Sequence, residues 1–92
     1  MGNKLFKNTK PDNYFRLMDG SEIKNVQQLA QSIQGMSEDV FYSHLNEEKN
    51  DFSSWIKDVF EDHELAEKVE NCRDQNQTEL TLLRHLLHRK RK

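Results

Sequence analysis

The chain has one cysteine, one proline, one tryptophan and three glycines among 92 residues, and each scarcity removes a class of protein. A single thiol, Cys72, closes no intramolecular disulfide. With no CxxC and no lysine cluster beside it, the residue reads as a small buried hydrophobe rather than a reactive thiolate. Glycines at 2, 20 and 35 alone leave no glycine-rich phosphate loop and no nucleophile elbow. No apolar run approaches the roughly 20 residues of a membrane-spanning helix. The opening MGNKLFKNTK lacks the apolar centre of a secretory signal, and Phe6 stands where a myristoylation signal carries Ser or Thr. Cytoplasmic residence is the expectation, and with it the sequon Asn76-Gln77-Thr78 is fortuitous.

Charged residues, at 33%, nearly equal the apolar ones, at 34%. That balance would starve a core if the apolar residues were scattered, but they are concentrated between Tyr14 and Leu87 at regular spacing. One domain with one core follows, too small for a deep cleft on a separate scaffold. The net charge of −2 hides a partition. Residues 37–79 hold thirteen Asp/Glu against four Lys/Arg, whereas residues 80–92 hold five Lys/Arg and no acid. The expected layout is a flexible arm over 1–12, which Phe6 could pin to the core, a compact domain over 13–87 and a basic tail over 88–92.

Asp19-Gly20 is a turn signal flanked by short alternating stretches. A two-residue loop would oppose Arg16 to Ile23 and Leu17 to Glu22. A three-residue loop with Gly20 left-handed pairs Phe15 with Ile23 and Arg16 with Glu22, so apolar meets apolar and charge meets counter-charge. The apolar side of so small a hairpin needs helices over it. Asn25 caps a first helix carrying Val26, Leu29, Ala30 and Ile33, which Gly35 ends. Ser37 opens a second, with Val40, Phe41, His44 and Leu45 inward. Asn50 or Asp51 opens a third, whose Phe52, Trp55, Ile56, Val59 and Phe60 form the cleanest apolar stripe in the chain. Asp62 caps a fourth helix, with Leu65, Ala66, Val69 and Cys72 on its inner side. A fifth starts near Thr78 and carries Leu80, Leu82, Leu83, Leu86 and Leu87. The fold class is therefore α+β, an N-terminal β-hairpin packed against four to five short helices. Its core is Phe15, Leu17, Ile23, Leu29, Ile33, Phe41, Phe52, Trp55, Ile56, Val59, Phe60, Leu65 and Val69.

Asp19-Gly20, the FxxH of Phe41 and His44, the run NDFxxWIxDV from Asn50 to Val59, and Asp62 with Leu65-Ala66 together resemble a family of small prokaryotic domains of unknown function. The likeness covers about residues 13–70. It implies a compact hairpin-plus-helices domain and brings no activity.

Four polar residues read as structural. His44 is placed to bond a carboxylate, Asp51 or Asp58, and so to tie the second helix to the third; Asn50, Asp51 and Asp62 read as caps. Catalysis at His44 would need a nucleophile, an oxyanion site and a pocket, and no such constellation accompanies it. The expectation is a domain that is not an enzyme and has no cofactor. Metal binding through His85 and His88, or through Asp58, Asp62 and His63, lacks a third or fourth good ligand. Trp55 and Phe52 belong to the core stripe rather than to a base-stacking platform. Arg84, Arg89, Lys90, Arg91 and Lys92 are the candidate partner contacts. They suit nucleic-acid phosphates, an anionic lipid surface or an acidic protein, or they serve only to complement the last helix's C-terminal dipole. The expected function is a protein-protein binding module, with a partner or second copy on the Leu80–Leu87 face; the alternative is nucleic-acid binding through the basic tail.

Overall fold

The structure, a computed structural model, describes residues 4–90, with side chains described through residue 88. Strands β1 (Phe15–Arg16) and β2 (Glu22–Ile23) form an antiparallel hairpin. Helices α1 (Val26–Gln34), α2 (Glu38–His44), α3 (Asp51–Trp55), α4 (His63–Glu70) and α5 (Gln75–Lys90) follow it. The architecture is α+β and mostly helical.

The hairpin adopts the register in which both faces are chemically consistent, Phe15 opposite Ile23 and Arg16 opposite Glu22. Gly20, at φ 94°, supplies the left-handed residue. The Asp19 carboxylate accepts from the Ser21 backbone N–H at 2.9 Å, and this bond is the main reason its pKa lies below the ordinary carboxylate value.

Helix entries are set by side-chain caps. Asn25 accepts from Gln28 N–H, Ser37 from Val40, Asn50 from Ser53 and Asp62 from Leu65. Two caps are reciprocal: the Gln28 and Gln77 side chains reach back to the backbone N–H of Lys24 and Arg73. Asp74, which accepts from Gln77 N–H at 2.7 Å, starts α5 about one turn earlier than the leucines suggest. Gln75 then fastens that start to the rest of the fold, donating to the carbonyls of Ile33 and Met36 at 2.9 and 2.7 Å.

Helix α3 widens into a π turn over Ile56–Phe60. With i→i+5 bonding, Phe60 comes under Trp55, their rings edge to face at 5.1 Å. Val59 is thereby turned toward the rim and is half-buried, not part of the fully buried core expected for it. Glu61, left-handed at φ 56°, ends the segment. The reversal lets α4 fold back against α3.

The core gathers Phe15, Phe41 and Phe52 as stacked rings, with Trp55 edge-on to Phe15. Ile23, Val26, Leu29, Ile33, Ile56, Leu65 and Val69 surround them. Leu82 and Leu86 close the core from α5, the helix that packs most extensively on α1.

The segment expected as a loose arm is packed from Lys4 onward. Leu5, in a single helical turn (Lys4–Phe6) against α1, is 1% exposed. Thr9 N–H donates to Lys24 O at 2.8 Å, and the Trp55 indole N–H donates to Asn13 O at 2.7 Å. One leucine filling a gap that the helices leave is enough to hold a stretch with no periodicity of its own. The buried pin is Leu5; Phe6, the residue with the larger side chain, stays half-buried beside it.

Candidate functional site

The polar residues singled out in the sequence divide between the core's edge and the surface of α5. His44 ends α2, with 12% of its side chain exposed, edge-on to the rings of Phe15 and Phe52. Its Nδ1 lies 2.9 Å from Asp51 Oδ2, and its Nε2 accepts the Met18 backbone N–H at 3.2 Å. That N–H is obligatorily a donor, so Nε2 carries the lone pair and Nδ1 the hydrogen given to Asp51. Of the two carboxylates placed near His44 by the sequence, Asp51 is the partner; Asp58 is exposed on the π turn. Lys49 joins Asp51 Oδ2 at 3.1 Å. Both imidazole nitrogens thus serve to join the hairpin turn, α2 and α3.

Asn50 rather than Asp51 is the α3 cap, and its amide also donates to Val69 O at 3.0 Å, tying α3 to α4. Asp62 has two roles. One oxygen caps α4, and the other lies 3.4 Å from His85 Nε2 in a pair whose side chains are 11% and 4% exposed. His85 is therefore a core residue. The sequence gives no hint of this, because the carboxylate that balances its polarity lies on a different helix. The Cys72 thiol is buried and near the hydroxyl of Thr81 at 3.3 Å. Among the described residues, no three His, Cys, Asp or Glu side chains gather as metal ligands do. None of the described helices is long and apolar enough to cross a membrane.

The surface of α5 is unlike the rest. Leu82 and Leu86 point into the core, whereas Leu80, Leu83 and Leu87 are 42%, 42% and 60% exposed. These three stand at i, i+3 and i+7 and so share one side of the helix. Near its C-terminal end the stripe runs into a shallow, largely apolar groove bounded by Phe6, Leu83, Leu86, Leu87 and two uncharged residues of α1, Gln27 and Gln31. The opposite flank of α5 borders a polar groove shared with α4, where Lys68, Asn71, Arg84 and His88 are exposed above His85. Of the candidate basic contacts, Arg84 lines that groove. Arg89 and Lys90 occupy the last turn of α5, and Arg91 and Lys92 lie outside the described residues.

A family model described as a family of unknown function (DUF5752) matches residues 6–89. The match contains the stretch that carries the resemblance and runs on through α5. No curated protein and no solved structure matches the chain.

Proposed function

The chain belongs to that family of unknown function, and from this premise we propose that the domain is a small, non-catalytic protein-interaction module that binds through α5. The observation that carries the reading is the exposed triplet Leu80, Leu83 and Leu87 on a helix whose other leucines complete the core. Leucines scattered singly over a surface need no explanation, but three on one helix side, continuous with an apolar groove, form a patch of the kind that partners cover. The non-catalytic part of the reading draws on His44. Both of its nitrogens are committed to the fold, so it has no lone pair or proton left for a substrate.

The test is a photo-crosslinking amino acid placed in living cells at Leu83 or Leu87, with Met18 as control. Met18 is 62% exposed and equally apolar, but stands alone at the hairpin tip. Discrete crosslinked products at both α5 positions and none at the control are the expected result. Equal, diffuse labelling at all three sites would refute the assignment of the face.

A further inference from the structure

We infer that the groove between α4 and α5 is a binding site for a phosphate monoester dianion, free or carried on a side chain, with Arg84, Lys68 and His88 as its contacts. The site lies on the flank of α5 away from the leucine triplet and stands independently of what covers that face.

The groove is lined by one side of each helix. Thr81, Arg84, His85 and His88 stand at i, i+3, i+4 and i+7 of α5, and Glu64, Lys68 and Asn71 at i, i+4 and i+7 along α4 and its C-cap, so each set shares a side and the two sets face one another. His85 is turned down to Asp62 and forms the floor. Arg84 and His88 are exposed at the rim and have no bonding partner among the described residues. Lys68 pairs with Glu64 at 3.3 Å, but the two side chains are 53% and 61% exposed. An ion pair that open to water is worth little and yields to a better acceptor. Asn71 gives one amide hydrogen to Glu67 O at 3.1 Å, which leaves the second to a ligand.

Guanidinium, ammonium and imidazole N–H groups around one hollow are a donor set that a phosphoryl dianion satisfies. Arg84 offers a planar fork for two oxygens, Lys68 a point charge for the third, and His88 a ring N–H in either protonation state. The sign of the groove is local. The groove beside Tyr42 carries Glu47, Glu48 and Glu70 against Lys49 and Arg73, and the one between α1, α2 and the start of α5 carries Glu38, Asp74 and Glu79 with no cation. Of these three polar grooves the one between α4 and α5 alone holds more cations than acids, Lys68 and Arg84 against Glu64, before His88 is counted. A nucleic-acid strand fits less well. Helix α4 holds three glutamates against one lysine, so a polyanion laid along it meets net repulsion, whereas a single dianion sits at its one cationic point.

The experiment is an amide nitrogen–proton NMR titration of the unaltered chain with inorganic phosphate and then methyl phosphate, with sodium chloride adjusted to hold the ionic strength fixed. Saturating shifts confined to the surroundings of Lys68, Asn71, Arg84 and His88, with dissociation constants on the order of 1 mM, are expected. Arg84→Gln, at an exposed position, should weaken binding about tenfold. Glu64→Gln, which releases Lys68 and removes the opposing charge, should tighten it. Surface charges that serve only solubility would move neither constant. A phosphoserine peptide separates the two sources: tighter binding than methyl phosphate identifies a modified side chain as the carrier, and equal binding a free monoester. Unsaturated shifts spread over the whole chain at tens of millimolar phosphate overturn the site, as do constants unchanged by both variants. A labelled oligonucleotide that binds far more tightly than the monoester, with steep salt dependence, overturns the compact ligand in favour of a nucleic acid.

Discussion

Replacing Leu5 with alanine separates two descriptions of the first dozen residues. If they formed a loose arm, the change would be a surface substitution, worth no more than about 0.5 kcal/mol. In the structure Leu5 is 1% exposed and wedged against α1, so the cost is that of emptying a core site. Leucine-to-alanine changes in cores cost about 2–5 kcal/mol, least where neighbours can relax into the space. Leu5 sits on a three-residue turn near the start of the chain, which can move inward, so the low end applies, about 2.5 kcal/mol. A domain of this size has only about 5–14 kcal/mol in total. With a urea slope of about 1 kcal/mol/M, the unfolding midpoint should fall by about 2.5 M. Urea titration followed by Trp55 fluorescence reads this directly, since the indole is tied to Asn13 in the same segment. A midpoint shift corresponding to less than about 0.5 kcal/mol would refute the packing of residues 4–13.

Three further outcomes follow from the geometry. Gly20→Ala places a Cβ in open space but at φ 94°, so its cost is purely conformational, about 1–2 kcal/mol. Thermal melts should show a drop of about 4–8 °C for each of those kcal/mol, and an unchanged melting temperature would contradict the left-handed turn. Asp62→Ala removes both the α4 cap and the carboxylate beside buried His85. A loss of about 2 kcal/mol or more is expected by urea titration, and His85→Phe in the same background should recover part of it; no recovery would argue against the pairing. Asp19 has its carboxyl held below the ordinary value by the Ser21 N–H. Its contribution is therefore fully present above the unfolded-state pKa and is lost as pH falls through the lower folded-state value. Carbon-detected titration should find Asp19 among the last carboxylates to protonate; titration at or above the typical carboxylate would sink the assignment.

The hairpin was readable because only one register satisfied two independent demands, apolar against apolar at Phe15 and Ile23, and charge against charge at Arg16 and Glu22. The caps at Asn25, Ser37 and Asp62 were readable for a similar reason, a short polar acceptor immediately before a periodic stripe. Leu5 was not, because a single apolar residue in a polar stretch has no period to betray it. Nor was the side of α5 that faces inward. Five leucines within eight positions wrap much of the helix, and only the shape of the cavity above α1 decides that Leu82 and Leu86 enter it. The π turn escaped detection because Phe52, Trp55, Ile56, Val59 and Phe60 already fit the i, i+3, i+4, i+7 and i+8 positions of an ordinary α-helix, with Phe60 one turn beyond Ile56. His85 was hidden by distance along the chain, since the carboxylate that makes its burial tolerable is Asp62.

The pairing of α1 with α5 also governs when this domain can fold. Its first helix finds its main cover in its last, so a nascent chain complete through α4 holds the apolar side of Val26, Leu29 and Ile33 without Leu82 and Leu86 to close it. Loop closure over most of the domain must come before that reward. The hairpin and the central helices can assemble early, but the cooperative step waits for α5 to leave the ribosome. Until then the exposed α1 surface is the part of the chain that a chaperone would hold.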